Sequence, residues 1–181
     1  MIKLLLLVIA LAALLVLVYV KSSPSAQLKL GALAPAFSLM DQNGQLRQTD
    51  EFKGRWLVLY FYPKDNTPGC TKEACRFRDE HSALQKINAQ VVGVSVDSSA
   101  AHAGFASQHR LPFPLLADKQ GDVAKAYGAL MNLPYLKLAK RRTYLIDPAG
   151  RVAKIYLNVE PDTHAQTVLK DLQLLKEAYH D

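Results

Sequence analysis

The sequence has only two cysteines and a single tryptophan among its 181 residues. Cys70 and Cys75 are not spaced as Cys-x-x-Cys, the pattern usual in thiol–disulfide oxidoreductases that act on proteins. There is no Gly-rich phosphate loop, and the five histidines show no metal-ligand spacing with each other or with the cysteines. We therefore expect no metal, haem, flavin or other cofactor, and we expect the histidines to lie at the surface.

The chain also lacks a long run of one charge. Its net charge is +6, and the lysines and arginines are scattered without interleaved aromatic residues that could stack on bases. Nucleic acid is therefore not an expected partner. The modest positive charge agrees better with attraction to an anionic membrane surface.

One long apolar run is present, at the N-terminus. Residues 4–20 are apolar without interruption between Lys3 and Lys21. As a helix they would extend about 26 Å, enough to span a bilayer core of roughly 30 Å with the lysines reaching the interface. The run is longer than that of a usual signal peptide, and no clear Ala-x-Ala cleavage site follows.

The run therefore predicts an uncleaved transmembrane anchor, with a cleaved and secreted form as the alternative. Because the N-terminal tail is very short, the simpler arrangement leaves the tail inside and the domain on the periplasmic or other extracytoplasmic side. The predicted division of the chain is an anchor or signal segment at 1–21, a polar linker at 22–29 and a single domain at 30–181.

The middle of the chain changes from a strand pattern to a helix pattern. Residues 56–62 are an unbroken apolar and aromatic run, typical of a strand buried on both faces. Pro63 ends the run, and a loop rich in turn residues continues to Gly69. Helix-forming residues with a charged face begin at Cys70. Cys70 is thus predicted to lie at the N-terminus of a helix.

That position makes a thiol reactive. Backbone N–H groups of the first helical turn and the helix dipole stabilise negative charge on a sulfur, and the thiolate is the nucleophilic form. The hydroxyl of Thr67 is near enough in sequence to hydrogen-bond the sulfur or a substrate oxygen, and Pro63 and Pro68 stiffen the loop. The alternative is that Cys70 is an inert core thiol.

The spacing of the two cysteines argues against a permanent disulfide. Residues five apart on an intact helix are separated by about 7.5 Å along the axis and about 140° around it. A disulfide needs Cα atoms within roughly 7 Å and Cβ atoms that face each other. Cys75 could therefore reach Cys70 only if the helix start unwinds, as in a catalytic cycle. A plain helix-core position for Cys75 is the alternative.

The motif Pro63-x-x-x-Thr67-x-x-Cys70 resembles the active-site motif of the peroxiredoxins. The longer stretch 60–79 is similar to the bacterioferritin comigratory protein, or peroxiredoxin Q, subfamily. This resemblance implies that Cys70 is the peroxidatic cysteine, that Cys75 is the resolving cysteine, and that Thr67 and Pro63 belong to the catalytic site. It also implies hydrogen peroxide or organic hydroperoxides as substrates, a thioredoxin-like reductant, and a monomer or weak dimer.

The resemblance further implies an arginine near the reactive sulfur. Peroxiredoxins carry one two residues before a strand of the form Thr-Phe-Leu-Ile-Asp, and Arg141 stands at this offset from Thr143. Neighbouring strand residues point to opposite faces, so only one of Arg141 and Arg142 can reach Cys70, and we predict Arg141. Glu73 could anchor that arginine, although a helix-face charge is the simpler interpretation.

Strands alternate with helices along residues 30–181, and a hairpin and a long amphipathic helix close the chain, which predicts an α/β fold. The resemblance implies a thioredoxin-like three-layer sandwich, a central mixed sheet flanked by helices, with the N-terminal transmembrane helix added. Within it, the helix that starts at Cys70 is expected to continue to about Asn88. Residues 132–140 are expected to form an irregular crossing.

The predicted function is a membrane-anchored thiol peroxidase that cycles through a Cys70 sulfenic acid and a Cys70–Cys75 disulfide. Two alternatives remain at this point. One is an anchored thiol–disulfide oxidoreductase that acts on proteins, and the other is a redox sensor without turnover.

Overall fold

The computed structural model describes residues 28–133 and 136–180. The strands of this part are β1 (Ser38–Met40), β2 (Leu46–Gln48), β3 (Trp56–Phe61), β4 (Ala89–Ser95), β5 (Leu115–Ala117), β6 (Leu130–Leu133), β7 (Leu136–Ala139), β8 (Arg142–Ile146) and β9 (Val152–Tyr156). The helices are α1 (Pro68–Asp79), α2 (His81–Lys86), α3 (Ser99–His109), α4 (Asp122–Ala126) and α5 (His164–His180), with a 3-10 turn at Thr49–Phe52.

A mixed five-stranded sheet forms the centre, in the order β5-β4-β3-β8-β9. The middle strand, β3, pairs in parallel with β4 and antiparallel with β8. All six residues of β3 are buried, as expected for an apolar run with neighbours on both faces. The register places Phe61, at the end of β3, opposite Arg142, at the start of β8. The residue before β8 is thereby brought next to the loop that follows β3.

Each face of this sheet has its own core. The face that carries Val58 and Tyr60 packs against α1, α2, α3 and α5. The opposite face, which carries Leu57 and Leu59, packs against α4 and the 3-10 turn. Alternate residues of one strand thus point into two cores, as the period of two requires. The predicted three-layer α/β sandwich is confirmed.

The predicted helix from Cys70 to about Asn88 is broken into α1 and α2. Glu80 lies between them with φ −88° and ψ 0°, outside helical geometry. Phe77 of α1 and Leu84 of α2 both enter the core on the face of the sheet that carries Val58 and Tyr60. The chain therefore bends at Glu80 where a straight helix was expected, and each of the two shorter helices places an apolar side chain in the same core.

The segment predicted as an irregular crossing contains a second hairpin. Strands β6 and β7 pair antiparallel, with Leu130 opposite Ala139. A backbone hydrogen bond of 2.6 Å from the Lys140 N–H to the Ala129 carbonyl closes its open end. The sequence offered no clear strand alternation here, so the pairing is a property of the tertiary structure.

The predicted fold class was wrong in one part, the membrane-spanning helix. None of the helices within residues 28–133 and 136–180 has the length and apolar character needed to cross a bilayer. The run at 4–20, on which the prediction was based, lies outside the described residues, as do the whole segment 1–21 and most of the linker 22–29. The fold class that the described residues show is therefore the α/β sandwich.

Candidate active site

Cys70 lies in the first turn of α1, directly after the loop that follows β3. Thr67 is the N-cap residue, and Pro68 occupies the first helical position, where its missing N–H leaves no bond unmade. At this position the N–H groups of Gly69 and Cys70 have no acceptor within the helix. Their partial positive charge therefore acts at the sulfur, and Cys70 is almost fully buried, which keeps bulk water from screening it.

Arg141 supplies a full positive charge to the same sulfur. Its Nη2 donates to Cys70 Sγ at 3.3 Å. Arg141 reaches this point because it precedes β8, whose first residue pairs with the last residue of β3. Arg142 is engaged elsewhere, since its Nη1 donates to the Gly128 carbonyl at 2.8 Å. The structure thus brings Arg141, and not Arg142, to Cys70.

Glu73 holds the Arg141 side chain in place through an ion pair. It is fully buried one turn after Cys70, and its Oε2 is ion-paired with Arg141 Nη1. Its other carboxylate oxygen, Oε1, is buried without a hydrogen-bond partner. Burial raises the pKa of Glu73 to about 7, while the charge and hydrogen bond of Arg141 act in the opposite direction. The interpretation of Glu73 as a helix-face charge was wrong, although its spacing from Cys70 places the two on one helix face.

Glu73 gives rise to a pH-dependent stability that can be measured. Its pKa of about 7 in the folded state exceeds the ordinary 4.5. Between these values the folded state binds more protons than the unfolded state, so the free energy of unfolding due to Glu73 falls as pH rises from about 4.5 to about 7. Glu73→Gln removes this titration. We expect the unfolding free energy of E73Q, minus that of the wild type, to increase across this pH range.

Urea unfolding followed by the fluorescence of Trp56 at several pH values measures this difference. Taking the difference removes contributions that both proteins share, including that of other titrating groups. A difference that stays constant between pH 4.5 and 7 would contradict the assignment of a raised pKa to Glu73.

Thr67 and Pro63 lie in the loop that leads into α1, and both are half-buried. The Thr67 hydroxyl donates to the Lys64 carbonyl at 3.0 Å, so its proton is used within the loop. Its oxygen keeps lone pairs that can accept a hydrogen bond. Thr67 therefore keeps a hydrogen-bond acceptor three residues before Cys70, while Pro63 fixes the backbone just after the end of β3.

Cys75 lies five residues after Cys70 on the same uninterrupted helix, and both are free thiols. The Cys75 side chain is half-buried, and its Sγ lies 4.0 Å from Nδ1 of His109 at the end of α3. Arg78 donates to the His109 carbonyl at 2.9 Å. While α1 is wound, the helical separation calculated from the sequence keeps the two sulfurs apart, and a disulfide requires its first turns to unwind.

A buried polar cluster behind the loop was not predicted from the sequence. His102 of α3 is fully buried, and its Nδ1 contacts Asp65 Oδ2 at 2.8 Å. The hydroxyl of Tyr62 donates to the other Asp65 oxygen at 2.7 Å, and His102 Nε2 faces the Leu116 carbonyl at 3.2 Å. Each ring nitrogen of His102 thus faces an oxygen of a neighbouring residue. This cluster fixes the loop from β3 to α1 against α3.

His164 is a second buried histidine, so the expectation of surface histidines was wrong for both His102 and His164. Its Nε2 lies 2.8 Å from the Thr143 hydroxyl. Burial, and then the positive charge of Arg141, lower the pKa of His164 to about 4. The ring is therefore neutral at pH 7 and adds no second charge beside Arg141. In the part of the chain that the structure describes, no group of three or more His, Cys, Asp or Glu is arranged to hold a metal ion.

Comparison with known proteins identifies the family of this chain. The model of the AhpC/TSA family matches residues 30–155. The chain belongs to the AhpC/TSA family. It is 44% identical over 157 residues to the chloroplastic peroxiredoxin Q of Sedum lineare, covering 86% of this chain and 84% of that protein. It is 43% identical to the chloroplastic peroxiredoxin Q of Populus jackii, covering 86% and 73%.

Solved peroxiredoxin structures share its fold. The peroxidoxin BcpB of Mycobacterium tuberculosis aligns with a TM-score of 0.77 at 36% identity, covering 82% of this chain and 98% of that one. A PrxQ mutant from Xylella fastidiosa aligns with a TM-score of 0.78 at 30% identity, covering 83% and 99%. The predicted membership in the peroxiredoxin Q and bacterioferritin comigratory protein group is confirmed, and this peroxiredoxin is a thiol peroxidase with the thioredoxin-like fold.

The predicted location is corrected by the same comparison. The sequence was interpreted as that of a membrane-anchored protein with an extracytoplasmic domain. The plant relatives of this peroxiredoxin are chloroplastic. The membrane anchor, the membrane as a partner and the extracytoplasmic or secreted location are therefore not supported.

Proposed function

We propose that this peroxiredoxin reduces hydrogen peroxide and organic hydroperoxides with Cys70 as the peroxidatic and Cys75 as the resolving cysteine. The observation that carries the proposal is the Arg141 guanidinium 3.3 Å from Cys70 Sγ at the start of a helix. A cation and a helix N-terminus beside one buried sulfur both attract negative charge to that position. Glu73 keeps the guanidinium in place.

In the first step, the Cys70 thiolate attacks the terminal oxygen of the hydroperoxide and the O–O bond breaks. Cys70 becomes a sulfenic acid, and the departing oxygen takes a proton to give an alcohol, or water from hydrogen peroxide. Arg141 and the N–H groups of the first turn of α1 stabilise the charge that develops on this oxygen. The oxygen of Thr67 accepts a hydrogen bond from the peroxide, and Pro63 keeps the loop rigid.

In the second step, the first turns of α1 unwind and the Cys75 thiolate attacks the Cys70 sulfur. The S–O bond breaks, the leaving hydroxide takes a proton and departs as water, and a disulfide forms. An external dithiol such as thioredoxin then supplies two electrons and restores both thiols. The thioredoxin-like reductant, the monomer or weak dimer and a domain boundary at residue 30 are further parts of the proposal, supported by the resemblance to peroxiredoxin Q.

Cys75→Ser separates the two steps. The variant keeps Arg141 at Cys70, so we expect it to reduce one equivalent of peroxide at the wild-type rate and to stop as a sulfenic acid. Turnover with thioredoxin should fall by at least about tenfold, because no thiolate is left within the chain to displace the hydroxide. Mass spectrometry of the intact protein after one equivalent of peroxide should show one added oxygen, whereas the wild type should lose two hydrogens.

Turnover of the Cys75→Ser variant at the wild-type rate would show that Cys75 is not the resolving cysteine. The wild-type protein also distinguishes the two other functions in these assays. An oxidoreductase acting on proteins would reduce insulin disulfides efficiently and react slowly with peroxide. A redox sensor would be oxidised once and would show no repeated turnover with thioredoxin present.

A further inference from the structure

Asp162 joins the turn before α5 to the outer face of α1. Its Oδ2 accepts a hydrogen bond from Lys72 Nζ at 3.0 Å, and its Oδ1 accepts from Arg76 Nε at 3.2 Å and Nη2 at 2.9 Å. Lys72 and Arg76 are four residues apart and therefore lie on one face of the helix. Cys75 is located between them in the sequence. One carboxylate thus binds a residue before and a residue after the proposed resolving cysteine in the sequence of α1.

These bonds oppose the movement that disulfide formation requires. Lys72 lies between Cys70 and Cys75, so it is part of the segment that must unwind before the two sulfurs can meet. Unwinding this segment displaces the Lys72 backbone from the helical position at which its ammonium contacts Asp162. Hydrogen bonds from Arg76 and Lys72 lower the pKa of Asp162, so the carboxylate is charged at neutral pH.

We propose that Asp162 is a positioning residue for the second step: its bonds to Lys72 and Arg76 hold α1 wound and slow the attack of Cys75 on the Cys70 sulfenic acid. This inference rests on the two-cysteine cycle proposed above. A longer-lived sulfenic acid has a chemical consequence. A second hydroperoxide can transfer its terminal oxygen to that sulfur, which gives the sulfinic acid and releases an alcohol or water. Asp162 would thus increase the sensitivity of the enzyme to excess peroxide.

Asp162→Asn tests the proposal because it removes the charge and keeps the size of the side chain. Reduced protein is mixed with one equivalent of hydrogen peroxide, and the reaction is quenched with acid at set times. The mass of the intact protein at each time is then measured by mass spectrometry. We expect disulfide formation to be about threefold faster, a small factor because both ion pairs are partly exposed. Formation of the sulfenic acid should be unchanged, and excess peroxide should yield less sulfinic acid.

The dependence of the rate of disulfide formation on ionic strength is a second measurement. It would not differ between the wild type and D162N if Asp162 only stabilised the fold. Salt screens exposed ion pairs, so high sodium chloride should speed disulfide formation in the wild type and have no further effect in D162N. Asp162→Glu should restore slow disulfide formation, and Lys72→Gln should reproduce D162N. Asp50→Asn is the matched control, because it breaks the exposed 2.9 Å pair with Lys53 at the 3-10 turn, on the opposite face of the sheet from α1. It should leave the rate of disulfide formation unchanged.

Equal rates of disulfide formation in the wild type and D162N would overturn the inference. So would a salt effect that persists unchanged in D162N. Failure of the proposed function is distinguishable from both results, because then neither protein would form a Cys70 sulfenic acid with peroxide, and no second step would remain for Asp162 to influence.

Discussion

Cys70→Ser is expected to abolish peroxide turnover, by at least about a thousandfold, because the variant has no nucleophile at the reacting position. A serine hydroxyl is not ionised near neutral pH, and the helix N-terminus and Arg141 cannot make it so. Peroxide consumption is measured with thioredoxin, its reductase and a nicotinamide cofactor as the electron source. The same variant should show no added oxygen by mass spectrometry after treatment with peroxide.

Two controls make this result specific to the sulfur. Serine differs from cysteine by a single atom, so C70S should keep the thermal midpoint of the wild type within a few degrees, and its hydroxyl can still accept a hydrogen bond from Arg141. Cys75→Ser, which removes the other thiol, should still consume one equivalent of peroxide. Wild-type peroxide consumption by folded C70S would show that the reactive group lies elsewhere.

Arg141→Met is expected to slow sulfenic acid formation by about 100- to 1000-fold, the range seen when one donor to a developing negative charge is removed. Methionine fills much of the space of the arginine stem but carries no charge, so the contact of 3.3 Å to Cys70 Sγ is lost. Arg141→Lys should give an intermediate rate, because an ammonium lacks the planar fork that bonds Cys70 and Glu73 at the same time. Stopped-flow fluorescence of Trp56 or quenched-flow mass spectrometry measures the rate.

Arg142→Met is the matched control for this prediction. Arg142 is the next residue and has the same charge, but it bonds the Gly128 carbonyl. Its replacement should leave the rate of sulfenic acid formation unchanged. If Arg142→Met slows the reaction as much as Arg141→Met, the effect belongs to the net charge of the segment and not to the contact with Cys70.

Arg141→Met also leaves Glu73 buried without its counter-charge, which destabilises the protein or forces Glu73 to take up a proton. The double variant R141M/E73Q separates this effect from catalysis. We expect it to recover stability relative to R141M without recovering the rate. Recovery of the rate in the double variant would mean that Arg141 acts mainly by neutralising Glu73.

Cys70 is buried, so few side chains can act on its sulfur. Arg141 is the one full positive charge that the described residues place in hydrogen-bond contact with the sulfur. His164, a buried histidine whose pKa is lowered to about 4 by burial and then by the charge of Arg141, is neutral at pH 7. Loss of Arg141 therefore cannot be compensated by a neighbouring cation, which is why its replacement ranks beside that of Cys70 in expected effect.

The sequence by itself determined the features that depend on neighbouring residues. The buried strand up to Phe61, the turn residues after it and the helix formers from Cys70 onward are local patterns, and together they placed a thiol at a helix N-terminus. The distance between Cys70 and Cys75 follows from helix geometry alone. Arg141 was chosen over Arg142 from a sequence resemblance and strand alternation, and the register of β3 with β8 agrees with that choice.

Only the tertiary structure decided which charges are buried and whom they contact. Glu73, His102 and Asp162 look like ordinary helix or loop charges in the sequence, because a charged residue is assigned to the surface unless its partner is known. Their partners lie 37 to 90 positions away along the chain. Such contacts are set by the order of the strands and the packing of helices on the sheet, and local patterns carry no information about either.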